Sequence, residues 1–366
     1  MKRIFILVVV TLLAVGSSFA NESTLIDFSL LAADITVNGQ GDDPPPNQNR
    51  ATLMNFTNEA IGNLTLRQER NLQSSLAIEN WDVVLAPSAR NITSQGRSFT
   101  REAMSGAFGE DGDERIPVMG VRVHFPAGPF NSWARIQPPF DIPAFEPPAD
   151  IDDDGTITAR EGQDGVTSIS RFEGEEVEDD EGNTSAAGGL GLVKNVGTIR
   201  SVAVQVYGLN FPHTLSVILI DESGAERIIP MGTLNFDGWG ELVWNNPQYI
   251  ANVRNRQIST IPIYPDTMPY VKFGGFLIQR SGNHPGGDFI TYFKDVKIIY
   301  DLAVMPDNRD MDNEAVWNII QERDTLRRNN NMQRFGQREM QRLQDLERQA
   351  DPNVTFGRRA GDDEQE

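Results

Sequence analysis

Apolar and polar side chains alternate most regularly close to residue 300, where Phe289, Phe293, Val296, Ile298 and Tyr300 recur at roughly every second position. A strand with one buried face has that period. The same signal appears in residues 199–207, with Val202, Val204 and Val206 in phase, and in residues 215–220 and 226–229. Between the last two, Asp221-Glu222-Ser223-Gly224 supplies the glycine that a short hairpin loop needs. Upstream, residues 53–56, 75–85 and 117–125 are further strand candidates. In the last of these Val121, Val123 and Phe125 share one face, and Arg122 and His124 take the other. Two buried strands frame residues 237–247, whose sequence is Asp-Gly-Trp-Gly-Glu-Leu-Val-Trp-Asn-Asn-Pro. Residues 34–49, with Gly39, Gly41 and Pro44-Pro45-Pro46, read as an exposed loop. Residues 130–148 are rich in proline and aromatic side chains without a period, and read as a crossing loop. Many short strands with few helical stretches predict an all-β chain, an antiparallel jelly-roll-like β-sandwich.

Both ends depart from that pattern. Met1-Lys2-Arg3, the apolar run over residues 4–15 and Ser18-Phe19-Ala20 form the charged, apolar and small-residue regions of a signal peptide, cleaved after Ala20. The run is shorter than the ~20 apolar residues a membrane span needs. At the other end Val316, Ile319, Ile320, Leu326, Met332, Phe335, Met340, Leu343 and Leu346 fall near helical spacing. Arg323, Arg327, Arg328, Arg334, Arg338, Arg342 and Arg348 make this tail basic against an acidic body. Such a helix either waits for a partner or packs, solvated, on its own sandwich. The expected organisation is a signal peptide at 1–20, a sandwich domain at 21–310 with an acidic loop insertion at 150–183, and a helical, charged tail at 311–366.

Composition narrows the chemistry. The 366 residues contain no cysteine, so neither a disulfide nor a thiol for lipid attachment is available, and packing alone must hold the mature chain together. Removing Lys2 and Arg3 with the signal peptide moves the formal charge from −20 to −22. A balance this acidic repels nucleic acid and fits either a solubilised surface or a basic protein partner. No membrane anchor is expected.

Residues 150–161 fit the twelve-residue calcium loop, with Asp150, Asp152 and Asp154 at positions 1, 3 and 5, Gly155 at 6 and Glu161 at 12. Alternate acids converge hard oxygens on one cation, Thr156 offers its carbonyl, and Glu161 can close the site bidentately. Pro147-Pro148 before it and Gly162 after it exclude the flanking helices of an ordinary EF-hand. The segment is therefore either a free-standing Ca2+ loop or a plain solvated acidic loop. His124, His213 and His284 show no ligand spacing, which argues against a zinc or catalytic centre. Trp239 and Trp244 are candidate binding residues that could stack on sugar rings, the alternative being core or rim packing. The sequons at Asn63 and Asn91 are too short to weigh, and the glycines at 188, 189 and 191 lack a phosphate-loop lysine.

Three segments carry a family resemblance: Gly-Trp-Gly-Glu-Leu-Val-Trp-Asn-Asn-Pro-Gln-Tyr-Ile at 238–250, Pro-Tyr-Val-Lys-Phe-Gly-Gly-Phe-Leu-Ile-Gln-Arg at 269–280 and Tyr-Phe-Lys-Asp-Val-Lys-Ile-Ile-Tyr-Asp at 292–301. Together they resemble the spirochaetal periplasmic flagellar filament outer-layer, or sheath, protein family. The resemblance implies a sandwich like that of carbohydrate-binding modules and a periplasmic structural role without catalysis. It further implies coating of the flagellin core, with core flagellins and other copies or paralogues as partners, and a contribution to filament stiffness and motility. No cofactor is required, and Ca2+ enters only if the loop at 150–161 binds it. Other readings of the residues are a periplasmic carbohydrate-binding module and, more remotely, a glycoside hydrolase using two of the many carboxylates. Amino-terminal sequencing of the exported protein should begin at Asn21; a sequence beginning at Met1 would refute the cleavage.

Overall fold

A computed structural model describes residues 21–32, 52–55, 73–108, 115–128, 131–144, 149–151, 157–159, 171–173, 176–178, 184–186, 188–258 and 269–303, with eight positions between 322 and 341. Twelve strands make up two six-stranded sheets. They are β1 (Asn21–Asp27), β2 (Asp82–Leu85), β3 (Phe99–Ser105), β4 (Ile116–Phe125), β5 (Trp133–Gln137), β6 (Leu192–Lys194), β7 (Val196–Leu209), β8 (Thr214–Asp221), β9 (Glu226–Thr233), β10 (Asp237–Asn245), β11 (Tyr270–Gln279) and β12 (Gly287–Leu302). The first sheet runs β10-β7-β12-β4-β3, with β1 also on β12; the second runs β9-β8-β11-β5-β2, with β6 also on β11. Every pairing is antiparallel, so the chain is the all-β sandwich that its alternation predicts.

The inner faces form one core. Val202, Val204 and Val206 of β7, fully buried, sit between Leu242 and Trp244 of β10 and Val296 and Ile298 of β12. Across the interior, Leu215 and Val217 of β8 and Phe276 and Ile278 of β11 are equally buried. Two bulges correct the phase of the long strands. In β11, Phe273 and Phe276 are three positions apart and would face opposite ways in a regular strand. The extra residue at Gly274-Gly275, opposite the Ile218/Leu219 step of β8, turns both rings inward. In β12 an extra residue opposite Gln205 does the same for Phe293 and Val296. The inward rings then meet: Phe276 stacks on Phe293 with centroids 4.0 Å apart and planes 12° from parallel. Phe273, Trp81 and Phe28 extend the contact edge-on or tilted, at 5.1 to 6.4 Å.

Several elements depart from the sequence reading. Residues 75–85 are not one strand: a two-residue strand at Gln73–Ser74 gives way to a 3-10 turn at Ile78–Asn80 and then β2. The Asn80 amide donates to the Ser75 hydroxyl at 3.2 Å, and the Trp81 indole N–H to the Leu76 carbonyl at 2.8 Å. Such local bonds draw the backbone away from a ladder. The supposed crossing loop contains β5, whose five residues alternate with Ala134 and Ile136 inward, too briefly to stand out among prolines. Residues 237–245, expected between strands, are themselves the edge strand β10. Two short helices were not foreseen: α1 (Ile92–Arg97), capped by Asn91, and α2 (Tyr249–Ile258). The signal segment 1–20 and the loop at 34–49 lie outside the described residues, and in the tail the described positions are all helical.

Gly275 has φ +120°, and a Cβ there would lie 2.1 Å from the Ile136 carbonyl oxygen of β5. Gly275→Ala is therefore expected to cost about 2–4 kcal/mol of stability, seen as a lower urea midpoint, through strain and a forced shift of β5. Phe276→Ala should cost about 3–5 kcal/mol, the usual figure for a truncated core ring. A midpoint equal to wild type in either variant would contradict the packing.

Candidate interaction surface

With the interior filled, the chemistry lies on the outer faces. Because Val206 of β7 points inward, Tyr207 points out, opposite Trp239 of β10 on one side and Tyr292 of β12 on the other. Trp239 and Tyr207 pack edge to face at 5.4 Å, and Tyr207 and Tyr292 at 5.8 Å. Tyr292 lies over Gly120 of β4, where a Cβ would come within 3.2 Å of its ring. Phe108 folds onto Trp239 at 4.9 Å, and the Lys294 ammonium sits 4.9 Å from the Phe108 centroid. This row is half-buried and braced by its own rings.

Beside it, β4 and β12 present Arg122 and His124 next to Asp288, with Arg97 of α1 closing from the edge. Arg122 donates to Asp288 Oδ2 at 2.8 Å, Arg97 donates to the same oxygen, and His124 Nδ1 lies 2.7 Å from Oδ1. Burial alone would raise the Asp288 pKa, but the hydrogen bonds from Arg122 and His124 and the guanidinium charges outweigh it and hold it at about 2. Phe99 of β3 carries Arg101 at 5.4 Å and Arg122 at 5.9 Å from its ring centroid. Sequence reasoning placed Arg122 and His124 on the outward face but missed Asp288 and Arg97, because no local spacing joins residues 191 positions apart.

His213 and His284 do converge, with ring centroids 4.9 Å apart, in an aromatic nest with Phe211, Phe125 and Phe289. Arg280 ties that nest to its loops by donating to the carbonyls of Pro126, Gly128 and His284. Among the described residues no group of three or more His, Asp or Glu side chains could hold a metal. His213 is fully buried and accepts the Ser281 N–H at 3.2 Å. Burial first, then His284 and Arg280, push its pKa down from 6.5 to about 4.

Trp239 and Trp244 do not share a face. Trp244 packs inward against the core and Trp239 outward, so one ligand cannot lie on both. Of the calcium-loop residues, Asp152, Asp154, Thr156 and Glu161 lie outside the described residues. The backbone of Asp150 is in a short hairpin, Ala149–Ile151 with Ile157–Ala159, in which it pairs with Thr158.

The class that the geometry defines is an antiparallel β-sandwich closed by apolar packing, with aromatic and charged side chains set outward in arrays. A family model described as flagellar filament outer layer protein matches residues 46–309. A protein of Treponema pallidum named flagellar filament outer layer protein is 40% identical over 352 residues, covering 96% of this chain and 95% of its own. Relatives of the same name in Spirochaeta aurantia and Borreliella burgdorferi are 37% and 30% identical, over 95% and 84% of this chain and 93% and 78% of theirs. The chain belongs to the flagellar filament outer layer protein family. A solved carbohydrate-binding module of the β-sandwich superfamily aligns at 8% identity over 67% of this chain and 60% of its own, with a TM-score of 0.26, too low to decide anything.

The lowered His213 pKa has a defined sign. The folded state binds this proton more weakly than the unfolded state, so the contribution is complete above pH 6.5 and is lost as pH falls from there towards about 4. At ~1.4 kcal/mol per pKa unit the full loss approaches ~3 kcal/mol. His213→Leu should give up about 1 kcal/mol at neutral pH with its hydrogen bond. It should also unfold in urea with a shallower pH dependence across that interval. An unchanged slope would remove His213 as the cause.

Proposed function

We propose that this protein is a structural component of the outer layer of a periplasmic flagellar filament, where it coats the flagellin core and contributes to stiffness and motility. The observation that carries the proposal is identity of 40% along nearly the whole length of both chains with a protein named for that layer. Physical features support it. A coat stiffens a filament when its units resist deformation and hold their neighbours in place, which asks for one well-packed body and for contacts on its outside. The two sheets share a single core, and large apolar side chains such as Trp133, Ile228 and Val243 remain exposed on the strands, at 37, 54 and 47%. Core flagellins and other copies or paralogues of this chain are the partners, and residues 1–20 direct export to the periplasm. Filaments purified from the periplasm should contain this chain, and cells lacking it should swim poorly. Filaments that lack the protein, or normal swimming without it, would refute the role.

The acidic hairpin keeps a second, subsidiary role as a Ca2+ loop. In its support, the pairing of residues 149–151 with 157–159 folds the segment back on itself, which brings its first acid close to its later positions. Calorimetric titration with calcium should show saturable uptake that Asp152→Ala abolishes; absence of heat in the wild-type protein would dispose of it.

A further inference from the structure

Copies of a chain with a formal charge of −20 repel one another, so a close-packed layer of them needs local contacts between opposite charges. The edge of the first sheet carries such a contact surface. Arg101 and Arg122 lie over the Phe99 ring, and Asp288 is the carboxylate that Arg97, Arg122 and His124 share. Arg101 is exposed on the outermost strand β3, and among the described residues no ion pair reaches it. Phe99 beneath it is 37% exposed, and Ile92, on the helix that carries Arg97, is 90% exposed. A cationic cluster with an apolar floor, at the edge of an otherwise acidic molecule, is fitted to an acidic peptide segment.

The chain itself contains one. Residues 175–181 read Glu-Glu-Val-Glu-Asp-Asp-Glu, six acids in seven positions, and include the hairpin strand Glu176–Glu178 paired with Thr184–Ala186. The root of this hairpin is fixed to the body. Phe172 is fully buried against Phe140 at 5.8 Å, and Glu173 pairs at 3.1 Å with Lys194 of β6, a strand of the second sheet. One copy therefore carries its positive cluster on the first sheet and its acidic run rooted beside the second.

We infer that within the layer proposed above, and resting on that reading, the Arg101 cluster of one copy docks the acidic run 175–181 of a second copy. The contact joins unlike surfaces, so each copy keeps a free donor and a free acceptor and the array can extend along a filament. Arg97, Arg122 and His124 are held in place by Asp288, and Arg101 adds a charge that no carboxylate among the described residues pairs.

The test measures self-association of the purified mature chain by sedimentation, at low and at high salt. Wild type should associate at low salt and dissociate as salt rises. Arg101→Glu should weaken association about tenfold, the scale of one charge reversal at such a contact, with thermal unfolding unchanged. The double variant Asp179→Lys/Asp180→Lys should be equally weak, and mixing it with Arg101→Glu should restore association between the two. Wild type that stays monomeric, an Arg101→Glu variant that associates like wild type, or a mixture that fails to recover would each overturn the inference. Filament preparations separate the two failures. If wild type and Arg101→Glu enter filaments equally and associate equally, the contact is wrong and the sheath role stands. If wild type is missing from filaments, the sheath role itself fails.

Discussion

The stacking of Phe276 on Phe293 is the contact on which the rest of the sandwich depends, because it is made between the middle strands of both sheets. Neither ring reaches the interior by simple alternation. Each is turned inward by one extra residue in its strand, and at β11 that residue is accommodated because Gly274 and Gly275 carry no side chain. The second bulge has a by-product. It leaves Lys294 and Asp295 opposite Gln205, and Asp295, 2% exposed, pairs with the Lys294 side chain at 2.7 Å. The same side chain faces Phe108, which covers Trp239. Interior packing and the outward aromatic row are thus joined through two adjacent residues of β12.

The core is apolar, but ionisable groups lie both at its margins and buried beside it. Asp288 balances part of a cationic edge and is held ionised down to low pH, whereas His213 is held neutral by burial. Their effects on stability run in the same direction. Both favour the folded state at neutral pH, and both contributions shrink on acidification, the histidine's first.

The sandwich could be read from residues whose two faces differ strongly. Val202, Val204 and Val206, and the alternation of Val121, Val123 and Phe125 with Arg122 and His124, gave strands that the structure contains. Shorter or interrupted signals were lost. β5 has only two inward residues among prolines, and residues 75–80 hold a turn through side-chain bonds that no periodicity reports. Trp239 and Trp244 looked like one feature because they are close in sequence, yet an odd spacing in a regular strand puts them on opposite sides of the sheet. The pairs His213 with His284, and Arg97 with Asp288, are products of tertiary folding, and residue spacing alone does not encode them.

β1 and β12 are neighbours although they come from opposite ends of the sandwich, with Asn21 beside Tyr300. The sheet therefore cannot close until almost the whole domain has been synthesised, and loops of such length make the final pairing slow. The first strand lacks its partner until the last has been made. Late closure of this kind links the order in which the polypeptide is delivered to the moment at which it becomes rigid.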